Sequence, residues 1–102
     1  MAYIGKIKIT KEWAKVEDLI QDQISGQSAF SFSSDSAYQI QGESDYGVRL
    51  VEQASAPTDM NEGNKIVGTQ CAYYKPESGY LYVRTGVENE LEGFVKISTV
   101  GE

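Results

Sequence analysis

The chain has 102 residues, with fifteen acidic and nine basic side chains for a formal net charge of -6, no histidine, and one cysteine, Cys71. That balance repels phosphate backbones and anionic lipid headgroups, so neither nucleic acid nor a membrane surface is expected as a partner. The single thiol excludes an internal disulfide and a cysteine-built zinc site, and the lack of histidine excludes Ser-His-Asp and Cys-His nucleophile systems and histidine-based zinc or iron centres.

One domain spanning 1–102 is expected at this length, burying roughly two-thirds of the unfolded surface. There is no long apolar run, and Lys6, Lys8 and Lys11 are interleaved with isoleucine. The chain is therefore expected to be made and used without signal-directed export.

Tyr3 to Thr10 alternates, placing Tyr3, Gly5, Ile7 and Ile9 on one face and Lys6 and Lys8 on the other, as in a half-buried strand. The period then changes: Trp13, Val16, Leu19 or Ile20, and Ile24 recur at three- and four-residue spacing. This predicts one short amphipathic helix, or a pair of helical turns, from Thr10 onward, with Thr10 placed to cap it and Ser25-Gly26 to end it. Ala29 to Ser33 alternates aromatic with serine, and Ser34-Asp35-Ser36 supplies a turn before Ala37 to Gln41, which reads as a hairpin. Gly42 to Asp45 is read as a break. Tyr46 to Glu52 is the next strand, with Val48 and Leu50 on one side and Arg49 and Val51 on the other.

Ala54 to Gly63, with Pro57, Asp59 and Asn61 and almost no large apolar group, is the longest predicted loop. Its Asp59-Met60-Asn61-Glu62-Gly63-Asn64 stretch has oxygen ligands at alternate positions, as in part of a calcium loop. The tight-turn glycine and the bidentate glutamate are not where such a loop needs them, so an ordinary polar loop is favoured and no metal site is assigned. Asn64 to Val67 is read as a short strand. Gly68 to Gly86 follows, with two aromatic and β-branched runs flanking Lys75-Pro76-Glu77-Ser78-Gly79, and is read as a central β-hairpin. The acidic stretch Glu88 to Glu92 is read as a turn, and Gly93 to Val100 as the closing strand. Seven or eight short strands and one short N-terminal helix give an all-β class, an antiparallel sandwich or small barrel.

Catalytic chemistry is scarce. Glu52, Asp59, Glu62 and Glu77 are the carboxylates that a glycoside-cleaving pair would draw on, but no spacing marks a pair, and solvated acids are the simpler reading. No catalytic residue and no cofactor is expected. Cys71 reads as a small buried hydrophobe sharing a face with Tyr73, with no base beside it to activate the thiol. The aromatics carry more. Tyr73 and Tyr74 point to opposite faces, so one of them is outward, and the same argument applies to Leu81 against Tyr80 and Tyr82. Trp13, Tyr74, Tyr80 and Tyr82 are candidate interface or ligand contacts, since outward aromatics stack on sugars or fill protein interfaces. Arg49 and Arg84 occupy matching places in two strands and join them, placed to meet acids of a neighbouring subunit or to lie on a solvated edge.

The ordered set Trp13-x-x-Val16-Glu17-Asp18-Leu19-Ile20, Tyr38-Gln39-Ile40-Gln41, Val48-Arg49-Leu50 with Glu52 and Pro57-Thr58, then Tyr74-Lys75 and Gly79-Tyr80-Leu81-Tyr82-Val83-Arg84 resembles small β-rich virion proteins of tailed bacteriophages. These are the head-fibre, capsid-decoration and tail-accessory type. The resemblance runs from Trp13 to Arg84 and implies a non-enzymatic structural subunit located in the virion. Such a subunit is often a homotrimer and contacts other virion proteins or a host-surface glycan. The alternative from the residues alone is a carbohydrate-binding module using Trp13 and the outward tyrosines, and a small carboxylate glycosidase is a third reading.

Overall fold

A computed structural model of the chain describes residues 2–59, 63–68, 71–77, 79–86 and 92–100. In chain order its elements are β1 (Ala2–Thr10), β2 (Ala14–Lys15), α1 (Val16–Gln23), β3 (Ala37–Gln53), β4 (Asn64–Gly68), β5 (Cys71–Tyr74), β6 (Tyr80–Thr85) and β7 (Glu92–Val100). Every strand pairing is antiparallel.

The long strand β3 is the spine of the molecule. Its first part pairs with β7, from Ala37↔Val100 to Glu43↔Phe94, and with β5, from Tyr38↔Tyr74 to Gln41↔Cys71. Its second part pairs with β6, from Val48↔Thr85 to Gln53↔Tyr80, and with β4 at Val48↔Ile66, Arg49↔Lys65 and Leu50↔Asn64. β1 extends the first sheet on β7, and β2 extends the second on β6. The result is a small β-sandwich of two sheets, β1-β7-β3-β5 and β2-β6-β3-β4, that share one bent strand. The bend centres on Gly47, whose φ of 93 is open to glycine at little cost, and the Gly86 amide donates to the Gly47 carbonyl at 2.9 Å.

Strand alternation explains the core. Ile7 and Ile9, Val95 and Ile97, Tyr38 and Ile40 face inward from the first sheet; Val48 and Leu50, Leu81 and Val83 face them from the second. Each buried aliphatic side chain contributes about 1.5–3 kcal/mol of burial free energy. The helix buries Val16 and Ile20 against this layer, and a helix of eight residues is marginal in water without such packing.

Several expectations are corrected. The helix starts at Val16 rather than after Thr10, because Ala14 and Lys15 pair with Val83 and Tyr82 of β6. Thr10 does not cap it; its Oγ1 accepts instead from the Glu12 amide at 3.2 Å. Gly42 to Asp45 is no break, since β3 runs through it with a register shift between Ser44 and Val48. The expected hairpin of Ala29–Ser33 with Ala37–Gln41 is absent, and Ala29–Ser33 forms no strand. Its backbone finds side-chain partners: the Phe32 amide donates to Glu17 Oε2 at 2.7 Å, and the Ser33 amide to the Tyr38 hydroxyl at 2.9 Å. Phe32 then packs edge-on against Phe30, Tyr38 and Tyr74, with centroids 5.1, 4.7 and 5.1 Å away.

The central hairpin is also absent. β5 and β6 do not pair with each other, because each pairs with a different part of β3. The Lys75–Gly79 connection carries the chain from one sheet to the other. It is fastened by the Glu77 amide, which donates to Glu52 Oε2 at 3.0 Å, and by Gly79 at φ 84 lying against the Gln53 backbone. The Glu88 to Glu92 turn lies outside the described residues except at Glu92, which begins β7.

Candidate interaction site

The two sheets have outer faces of opposite character. On the second sheet, register places Arg49 directly opposite Arg84 on one side and Lys65 on the other, with Tyr82 between Val51 and Lys15. Trp13 lies beside this row, its ring 6.0 Å from the Arg84 guanidinium carbon. Five of the six candidate contacts thus come together: Trp13, Arg49, Tyr80, Tyr82 and Arg84. Most of them are covered by the chain itself. The Trp13 indole N–H donates to the Asp59 carbonyl at 3.1 Å, Pro57 of the same segment is buried, and Tyr82 and Arg84 are only 7% and 5% exposed. Trp13 and Arg49 are half-buried, and Tyr80 is the exposed member of the five, with the Lys15 ammonium 3.7 Å from its ring centroid. Arg84 is buried and Arg49 half-buried, and β3 is paired on both sides at Arg49, so Arg49 is not at an edge.

Tyr74 is in the core. Its hydroxyl donates to Glu52 Oε2 at 3.2 Å. Burial first, and then the Glu52 carboxylate, push its phenol well above the usual tyrosine value.

The outer face of the first sheet is open. One cross-strand row reads Tyr3, Ser98, Gln39, Tyr73; the next reads Lys6, Lys96, Gln41, Cys71; a third reads Lys8, Phe94, Glu43. Tyr3 is 62% exposed, Tyr73 70%, and Phe94 and Val100 37% each. Cys71 is exposed too, contrary to the expectation of a buried thiol, and its sulfur accepts from Gln39 Nε2 at 2.9 Å. Glu43 ties the face together, with Lys96 Nζ at 2.9 Å and Lys6 Nζ at 3.4 Å from its carboxylate, while Lys6 also stands 4.9 Å from the Phe94 ring centroid. The Lys96 hydrogen bond holds the Glu43 carboxyl below its usual range and raises Lys96 in turn.

Sequence reasoning missed Tyr3 and Phe94 as outward aromatics. Alternation predicts Tyr3 on the inward face, but the β1 register shifts between Tyr3 and Gly5, and Ile4 packs on the core instead. Phe94 had a signal, its alternation with inward Val95. Tyr73 was half legible as one of an opposed pair.

Among the described residues, no group of three or more Cys, Asp or Glu side chains is placed to hold a metal. Met60 to Glu62 of the calcium question and of the carboxylate set lie outside those residues. Of the other carboxylates, Glu52 and Glu77 meet through the Glu77 amide. Comparison with protein-family models, with curated proteins and with solved structures finds no match to this chain.

Proposed function

We propose that the chain is a non-enzymatic structural subunit of a tailed-phage particle, of head-fibre, capsid-decoration or tail-accessory type, which assembles with copies of itself through the outer face of the β1-β7-β3-β5 sheet. The observation that carries the reading is the exposure of Tyr3, Tyr73, Phe94 and Val100 together on that one face, since aromatic residues concentrate in protein interfaces. Charge supports a second copy as the occupant. The face carries Lys6, Lys8 and Lys96 against Glu43 and Glu92, whereas the whole chain carries nine basic against fifteen acidic residues. Copies that meet through this face avoid most of their mutual repulsion. The virion placement and the trimer rest on the resemblance between Trp13 and Arg84, and a closed ring of three satisfies the requirement that a repeated contact close on itself.

The carbohydrate reading is weaker. Trp13, its main stacking group, has its indole N–H committed to Asp59 and its ring beside Arg84. Light scattering across a dilution series tests the assembly reading: a discrete oligomer is expected for the wild type and a folded monomer for Tyr3→Ser combined with Phe94→Ser. A wild type that is monomeric at every concentration overturns it.

A further inference from the structure

The two edges of the β1-β7-β3-β5 sheet are built differently. On β1, the Gln23 side chain of α1 takes the place of a neighbouring strand: its Oε1 accepts from the Lys8 amide at 2.7 Å and its Nε2 donates to the Lys8 carbonyl at 2.9 Å. The register shift at Tyr3 and Gly5 disturbs the rest of that edge. Both features hinder an incoming strand.

Among the described residues β5 has no such guard. Among the described residues, it pairs only with β3. A cleft lies on each of its faces. One, of roughly 180 Å³, opens between the sheets and is lined by Ile40, Leu50, Ile66 and Leu81, with Glu52 among its walls. The other, of roughly 240 Å³, lies on the outer face and is lined by Gln39, Cys71 and Val100. Ala72 and Tyr73 line both, so β5 is the wall between them.

We propose that β5 receives an extended segment of a different, basic polypeptide by strand addition, the segment's alternate side chains entering the two clefts. An added strand points successive side chains to opposite faces, which is what two clefts flanking one edge strand accommodate. The apolar cleft between the sheets takes an aliphatic or aromatic side chain. Glu52, whose carboxylate accepts from the Tyr74 hydroxyl and the Glu77 amide, stands in the wall of this cleft in a chain of net charge -6. A lysine or arginine next to the apolar residue is therefore attracted, and a second acidic copy is disfavoured. This goes beyond the assembly of copies, because the occupant is another protein and the contact is an edge rather than a face.

The probe is a synthetic octapeptide alternating leucine with threonine and ending in lysine, titrated into the protein and followed by amide chemical shifts. Two controls are the same peptide N-methylated at alternate amides and one ending in glutamate. Shifts confined to Cys71–Tyr74 and the cleft walls are expected, with binding at least tenfold weaker after N-methylation and severalfold weaker for the glutamate peptide. Tyr73→Ala, at an exposed position, is expected to keep the fold and lose binding at least tenfold. Equal binding of the N-methylated peptide, shifts centred on β1, or no binding of any peptide overturns the proposal. Concentration-dependent shifts of β5 that persist without peptide in Tyr3→Ser combined with Phe94→Ser overturn it too, by giving the edge to a second copy. Repeating the titration on Tyr3→Ser with Phe94→Ser separates the two ideas: lost assembly with retained peptide binding leaves strand addition standing, and a wild type that assembles while neither protein binds the peptide leaves assembly standing alone.

Discussion

The outer faces of the two sheets carry similar residues and have opposite fates. Each bears tyrosines, another aromatic and a row of cations: Tyr80, Tyr82, Trp13, Arg49 and Arg84 on one, Tyr3, Tyr73, Phe94, Lys6 and Lys96 on the other. On the β2-β6-β3-β4 face, Trp13 bonds to Asp59 and stands beside Arg84, and Tyr82 and Arg84 are buried, so the aromatics stabilise the fold. On the β1-β7-β3-β5 face Tyr3, Tyr73 and Phe94 are exposed, so they are open to a partner. Composition selects both faces; coverage distinguishes them.

The comparison breaks most visibly if substitutions on the two faces cost the same. Trp13→Ala is expected to lose about 2–3 kcal/mol in urea unfolding, less than a fully buried tryptophan because Trp13 is half-buried. Tyr3→Ala and Phe94→Ala are expected to stay within about 0.5 kcal/mol, as exposed positions do. Equal losses would mean that the first-sheet aromatics also hold the fold together.

Gly79→Ala tests the crossing between the sheets. A Cβ there would lie 2.6 Å from the Gln53 carbonyl carbon at a φ of 84, so a loss of about 1–3 kcal/mol in thermal or urea unfolding is expected. A neutral result would restore the hairpin reading of Lys75–Gly79.

Tyr74 sharpens the distinction between core and surface tyrosines. Its raised phenol stays protonated in the folded chain at a pH where the unfolded chain ionises, so stability is intact below pH 10 and falls as pH rises past it. Tyr74→Phe is expected to flatten that alkaline limb while costing about 0.5–1.5 kcal/mol at neutral pH for the lost hydrogen bond to Glu52. Urea midpoints from neutral pH upward give both values; a limb unchanged by the substitution would put the titrating group elsewhere.

The smallest expected effect concerns Glu43. Its lowered carboxyl contributes stability above the ordinary value of 4.5 and loses it as pH falls through the folded value. Because the group is exposed, salt should erase the effect. A titration of Glu43 by NMR at low and high salt checks both points.

What sequence made legible was local. Alternation separated Val48 and Leu50 from Arg49 and Val51, located β1, β4 and β7, and gave the all-β class with one helix. What it missed depended on distant partners. The turn residues of Lys75–Gly79 fit a hairpin as well as a crossing, and the choice is made by β3, which pairs with β5 through one part and β6 through another. Gly42 to Asp45 looks like a break because its polar residues lie where the spine bends from one sheet to the other. The covering of Tyr82 and Arg84 involves a bond between Trp13 and Asp59, 46 residues apart, which no local pattern reports.

Cys71 gives the most direct test. As the chain's single thiol it stands on the open face, beside Lys96 and Tyr73 rows that a second copy would cover. Its alkylation rate, followed across a dilution series with light scattering on the same samples, is expected to fall at the concentration where the mass rises above that of a monomer. An oligomer whose Cys71 reacts as fast as that of the dilute chain would contradict the account, because the copies would then be meeting through some other surface.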